Sequence, residues 1–316
     1  MPKKAQEERL EDMTPCIACL QGCVANMYAG NPVCCLTNPF LGHEAEPLEK
    51  AEEPKKVMVI GGGVAGLSAA FIAKERGHEV TLYEAGDVLG GNMRLAAYPP
   101  GKGDITNMIR SYIHRCQKDG VKIVMNCEVT PELIKEEKPD SVIIATGSKT
   151  LILPIEGIDN PAIIHGSDLL DGKRAAGKKV LVVGGGMVGC ETAAFLGEQE
   201  HDVTVIEFRD TVGADVIHEH RVYLMKDFED YGIKEITGAK VCKFYEDGVE
   251  YETADGVRHE SRGYDSVILS MGFRNYNPLE EKIKDLVPET HVIGDAIRAR
   301  RALDATKEAY EVASRI

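Results

Sequence analysis

The 316-residue chain has no Lys/Arg-rich run, and its formal net charge is −14. Nucleic acid is gripped through its phosphates by clustered cations, so it is not an expected partner. Also missing is an uninterrupted apolar run long enough to span a bilayer, which argues against a membrane partner. The segment Met1 to Pro15 is mostly charged or polar and holds no apolar core stretch, so no secretory signal is read there. A cytoplasmic location is expected. An acidic surface would suit docking on a basic protein face, although many cytosolic proteins are simply acidic.

The nine cysteines are unevenly placed. Five lie between Cys16 and Cys35, while Cys116, Cys127, Cys190 and Cys242 are scattered and read as small core residues. In a reducing compartment such clustering points to metal or redox chemistry rather than to structural disulfides. Length and a 43% hydrophobic content leave room for two packed domains, or for one domain inserted in another.

An internal repeat organises the rest. Lys55-Lys56-Val57-Met58-Val59-Ile60-Gly61-Gly62-Gly63 returns 123 residues later as Lys178-Lys179-Val180-Leu181-Val182-Val183-Gly184-Gly185-Gly186. At the same offset Gly66 matches Gly189, His78 matches His201, and Glu84 matches Glu207. Each copy reads as a buried strand, a glycine turn, an Ala-rich helix and a second strand ending in a carboxylate; the period is far too long for a solenoid. A helix over Asp104 to Asp119 with an aspartate cap, a strand at Val121 to Met125, and buried strands at 141–147 and 265–272 complete an α/β pattern. A short strand at 291–295 and a helix from Ala302 to Ser314 close it, and the Glu-rich stretch 43–54 reads as an exposed linker.

In Gly61-x-Gly63-x-x-Gly66 the first glycine allows the tight turn and the second lets a pyrophosphate approach the backbone. The third lets the helix pack on the strand, so that phosphates meet the positive end of its dipole. Glu84, 23 residues after Gly61, can accept hydrogen bonds from ribose hydroxyls. Gly184, Gly186, Gly189 and Glu207 repeat the arrangement. The glycines do not decide which unit takes which cofactor. The segment with Gly294-Asp295 is similar to the one that closes the FAD site in flavoproteins with two dinucleotide domains. That likeness assigns FAD to the first unit and the nicotinamide to the second. Glu207 favours NADH, because a carboxylate repels a ribose 2′-phosphate, whereas Arg209 and Arg221 are either solvated surface residues or the means of accepting NADPH.

The spacing Cys16-x2-Cys19-x3-Cys23-x11-Cys35 gathers four thiolates on short loops, which can hold a cubane cluster or a zinc ion. Two dinucleotide units beside it make a redox centre the better reading. Cys16-x-x-Cys19 alone could be a dithiol, Cys34 could compete with Cys35, and His43 is a further conceivable ligand or a solvated loop residue.

The run Pro15-Cys16-Ile17-Ala18-Cys19-Leu20-Gln21-Gly22-Cys23, followed by Cys35-Leu36-Thr37-Asn38-Pro39, resembles the cluster segment of the 2-enoate reductase and 2,4-dienoyl-CoA reductase family, relatives of old yellow enzyme. The likeness continues through Val57-Met58-Val59-Ile60-Gly61, Pro100-Gly101-Lys102, Ala145-Thr146-Gly147 and Gly294-Asp295. It implies that Cys16, Cys19, Cys23 and Cys35 are [4Fe–4S] ligands, and that Ala65, Glu84, Asn92, Lys102 and Val129 contact FAD. Gly91 and Gly147 join the expected cofactor-binding positions. Members of that family carry an N-terminal TIM barrel that holds FMN and reduces the activated alkene. Here Lys4 to Asp12 resembles the tail of the barrel's last helix, so the barrel itself is expected to be missing from this chain.

The expected fold is therefore α/β, with two Rossmann-like domains, the NAD(P)H domain inserted in the FAD domain, and a small Cys-rich N-terminal lobe. Boundaries are expected at 1–53 for the cluster lobe and linker, 54–147 with 273–316 for FAD, and 148–272 for NAD(P)H. The expected activity passes electrons from NADH through FAD to the cluster and on to an FMN-bearing barrel subunit or another redox protein. A stand-alone NAD(P)H-dependent reductase of ferredoxin or a similar acceptor is the alternative, as is a truncated remnant without turnover. No residue stands out as an acid, a base or a nucleophile, as expected where cofactors carry the chemistry.

Overall fold

The computed structural model describes residues 2–316, and the chain divides into two compact units. The first comprises the residues up to Ala97, Asp104–Lys149 and Arg274–Ile316; the second comprises Tyr98–Gly103 and Thr150–Phe273.

The first unit is built on β1 (Lys56–Ile60), α1 (Val64–Glu75) and β2 (Glu79–Tyr83). The β-branched run of β1 is buried along almost its whole length, as a strand covered on both faces must be. Its sheet has five parallel strands in the order 289–292, 141–144, β1, β2, 122–124, so the chain order reverses beside β1. That reversal opens the crevice at the carboxyl ends of the strands where ligands of such sheets sit.

Helix Ile105–Lys118 buries Ile105, Met108, Ile109, Tyr112 and Cys116, the three-to-four spacing of an amphipathic helix. Asp104 stands at its N-cap position, but its carboxylate accepts the Asn107 side-chain amide at 3.0 Å rather than a backbone N–H. Helix Ala302–Ala313 lies against α1, sharing a core with Leu67, Phe71 and Ala309. The cysteine-bearing segment is fastened to this core: Leu36 is fully buried in it, Ile17 nearly so, and Tyr112 Oη donates to the Leu36 carbonyl at 3.0 Å.

The second unit repeats the plan with β3 (Lys179–Val183), α2 (Met187–Glu198) and β4 (Asp202–Ile206). Its parallel sheet has the corresponding order 164–165, 266–269, β3, β4, 234–236. The repeat holds in register, since Lys56 stands opposite Glu79 and Lys179 opposite Asp202. A three-stranded antiparallel sheet, Lys240–Tyr245, Gly248–Glu252 and Arg258–Ser261, adds to this unit and was not expected. Its sequence signals are the turn dipeptides Asp247-Gly248 and Asp255-Gly256. Among the described residues no helix is long and apolar enough to cross a membrane.

Candidate cofactor sites

In the first unit the three glycines of the turn face different constraints. Gly61 has φ 109°, and a Cβ there would collide with the Ala145 carbonyl. A Cβ on Gly66 would collide with the Gly61 carbonyl, so this glycine lets α1 close on the turn. A Cβ on Gly63 would meet nothing within 4 Å. Gly63 is the N-cap of α1 and brings no side chain of its own, so the ground beside it before the helix N–H groups is open. This is the arrangement that accepts a phosphate.

Glu84 is held beside the turn. Its Oε2 accepts the Gly62 N–H at 2.7 Å and its Oε1 accepts the Gly86 N–H at 2.7 Å. Gly61, Glu84 and Val129 line one cavity of about 130 Å3, with Thr146 and Tyr276 also on its wall. Gly91 (φ 54°) and Gly147 (φ 74°) occupy left-handed backbone, and a Cβ on Gly91 would press on the Gly63 Cα at 3.1 Å. Gly294 (φ 64°) packs against Ala65 in the first turn of α1. Asn92 and Asp295 are joined through Ser148, whose hydroxyl accepts the Asn92 amide at 3.3 Å and donates to Asp295 at 2.9 Å. Ser148 was not anticipated: it lies 56 residues from Asn92 and 147 from Asp295, and nothing local marks it.

The second unit reproduces the turn. Gly184 has φ 105° and abuts the Ser270 carbonyl, and a Cβ on Gly189 would collide with the Gly184 carbonyl. Glu207 accepts the Gly185 N–H at 2.5 Å and the Arg209 N–H at 3.0 Å. Arg221 is committed to the loop after β4, donating to Thr211 Oγ1 at 2.9 Å and the Val212 carbonyl at 3.1 Å. Lys102 lies in this unit and forms an ion pair with Glu191. Burial pushes the Glu191 carboxyl up from its ordinary range, while the Lys102 ammonium and His220 oppose that shift. Glu191 follows Gly189 by two residues on α2, so its place near the helix mouth could have been read from the motif. Its partner could not.

The cysteine loops bend through two left-handed non-glycine residues, Ala18 (φ 51°) and Leu20 (φ 55°), on either side of Cys19. Such backbone is costly for a bulky residue and gathers at functional sites. Cys19 is half-buried, and burial first, then neighbouring Cys35, Cys23 and Cys16, raise its thiol pKa. Cys19 is thus within electrostatic reach of the other three expected ligands. Cys34 Sγ takes the Asn26 amide at 3.4 Å and packs on Gly22, whereas Cys35 Sγ contacts Thr37 Oγ1. Among the described residues no group of three or more His, Cys, Asp or Glu is gathered tightly enough for one metal ion. Ligands of a four-iron cubane bind different corners and stand farther apart than ligands of a single ion.

Two parallel sheets of one topology, each with a glycine turn, a helix and a terminal carboxylate, define a protein with two dinucleotide-binding units. The chain belongs to the pyridine nucleotide-disulphide oxidoreductase family, whose model matches residues 55–293. It is an FAD-dependent oxidoreductase with a nicotinamide dinucleotide as its other cofactor. The cinnamate reductase of Clostridium sporogenes is 34% identical over 320 residues, covering 100% of this chain and 48% of that protein. The NADH oxidase of Thermoanaerobacter brockii is 34% identical over 324 residues, covering 100% and 50%. A solved 2-naphthoyl-CoA reductase in complex with 2-naphthoyl-CoA superposes with TM-score 0.94 at 34% identity, covering 100% of this chain and 48% of that one. The resemblance to the enoate-reductase group holds, and the chain spans about half the length of the curated relatives it matches.

Proposed function

We propose that this chain is the NADH-oxidising, electron-transfer part of an enoate-reductase-type system, with a [4Fe–4S] cluster on Cys16, Cys19, Cys23 and Cys35 and an FMN-bearing TIM-barrel partner. When bound, the flavin takes two electrons as hydride from the nicotinamide and can release them singly to the cluster. In the first unit Gly61, Gly63, Gly66 and Gly91 open the phosphate seat before α1. Ala65, Glu84, Asn92, Val129, Gly147, Gly294 and Asp295 line the remainder of the FAD site. Lys102 stays in that set on the family resemblance alone. In the second unit Gly184, Gly186 and Gly189 present the dinucleotide phosphates to α2, and Glu207 holds the adenine-side ribose and disfavours a 2′-phosphate. The chain's groups bind and orient; none is assigned a proton to move.

The observation that carries the reading is the Cys16-x2-Cys19-x3-Cys23-x11-Cys35 spacing on loops that buried Ile17 and Leu36 fasten to the first dinucleotide unit. Protein purified without oxygen should hold about four irons per chain, lose flavin absorbance on NADH addition, and reduce one-electron dyes. Stoichiometric zinc without iron would remove the cluster from the proposal. NADH-driven reduction of ferredoxin at a rate unaffected by any barrel subunit would favour the stand-alone reductase.

A further inference from the structure

The two copies of the repeat differ at the mouth of the helix. In the first unit the ground beside Gly63 is open. In the second unit a Cβ on Gly186 would stand 3.5 Å from the Asp215 carboxylate, and Asp215 Oδ1 accepts the Met187 N–H, the first of α2, at 2.9 Å. The loop that brings Asp215 there is pinned like its counterpart. Gly213 N–H donates to the Gly185 carbonyl at 2.7 Å, as Gly90 N–H does to the Gly62 carbonyl at 2.8 Å. At the repeat offset Asp215 corresponds to Asn92, which turns away to Ser148 and leaves its own helix mouth clear. The chain thus carries a carboxylate where the helix dipole and its N–H groups favour an anion.

We propose that Asp215 is an internal stand-in for the dinucleotide phosphates, one that the incoming pyrophosphate must displace, and that it sets how loosely the second unit holds its nicotinamide cofactor. The inference rests on assigning the nicotinamide dinucleotide to the second unit. The physical cost has two parts. The Met187 N–H is already satisfied, so the pyrophosphate gains less from it than from an unoccupied donor. The displaced carboxylate also stays nearby as a like charge. The first unit imposes neither cost, which suits a flavin retained through many turnovers beside a cosubstrate that must leave after each one.

Asp215→Asn keeps an oxygen acceptor for the Met187 N–H and removes the charge. NAD+ binding to the oxidised, flavin-loaded protein, followed by calorimetry so that no electron transfer is involved, should tighten about tenfold, with flavin content unchanged. Unchanged or weaker NAD+ binding would overturn the inference; where Asp215→Asn does not fold, Asp215→Ser is measured against the same expectation. Gly186→Val, which fills the phosphate seat, separates this inference from the reading beneath it. If Gly186→Val abolishes NAD+ binding while Asp215→Asn changes nothing, only the stand-in role fails. If Gly186→Val leaves NAD+ binding intact, the assignment of the second unit fails and the inference with it.

Discussion

Two glutamates do the same work in the two units, each using both carboxylate oxygens to hold backbone amides of its glycine turn. A carboxylate oxygen has lone pairs to spare, so Glu207 can still accept from ribose hydroxyls while repelling a 2′-phosphate. Glu207→Gln should therefore bring the affinities for NADP+ and NAD+ closer by about tenfold, measured as the ratio of dissociation constants. If the unmodified protein already prefers NADPH, the charge of Glu207 is not decisive and Arg209 becomes the residue to substitute. At the cysteine loops, Cys35→Ser should strip most of the iron whereas Cys34→Ser should leave iron content near normal, because the family resemblance assigns the fourth ligand to Cys35 and Cys34 Sγ already takes the Asn26 amide. Equal iron loss from both would mean that the pair shares a ligand position.

At the scale of the strand–turn–helix element, packing and binding are carried by different glycines. Gly66→Ala drives a methyl into the Gly61 carbonyl and should cost about 3 kcal/mol of stability, the upper end for overpacking. Gly63→Ala meets nothing within 4 Å and should leave the melting temperature of the flavin-free protein unchanged, yet lower flavin content, because its methyl occupies the open phosphate seat. Equal losses of stability from both would show that Gly63 is as tightly packed as Gly66. Iron and flavin per chain, read alongside thermal melts, separate these outcomes.

For the whole molecule, acid should be destabilising through a buried histidine. His78 Nδ1 accepts the Lys55 N–H at 3.0 Å, which places the ring proton on Nε2, 3.0 Å from an Ile316 backbone oxygen. Burial lowers its pKa from the ordinary 6.5, since a second proton has neither water nor a free acceptor beside Nδ1. The folded state thus binds fewer protons here than the unfolded chain. The stability His78 contributes is complete above pH 6.5 and falls as pH drops below it. Denaturant melts at pH 7.5 and pH 5.5 should show this loss, and His78→Gln should flatten that part of the profile. The division of labour is also testable at this scale: the chain by itself should reduce dyes with NADH yet no enoate or enoyl thioester, and an added FMN-bearing barrel should confer that activity. Alkene reduction by the chain alone would overturn the proposed partnership.

The α/β class, the two glycine turns and the carboxylates that follow them were legible in the sequence because they are local. A turn, a helix start and a strand end are set by neighbouring residues, and a repeat at fixed offset displays them twice. The spacing of Cys16, Cys19, Cys23 and Cys35 was likewise in plain view, whereas its reading as a cluster site is part of the proposal, and the choice of Cys35 over Cys34 rested on the family resemblance. The antiparallel sheet of the second unit was missed, although its Asp-Gly turns were in view. What lay beyond reach depends on chain segments far apart. Lys102 meets Glu191 across 89 residues, and Ser148 joins Asn92 to Asp295 across 147. Asp215 reaches the N-terminus of α2 from 28 residues away, and only the folded loop shows that one copy of the repeat holds its phosphate seat open while the other fills it. Residue types and spacing specify elements; which side chain faces which depends on how the sheet order and the loops return the chain to itself.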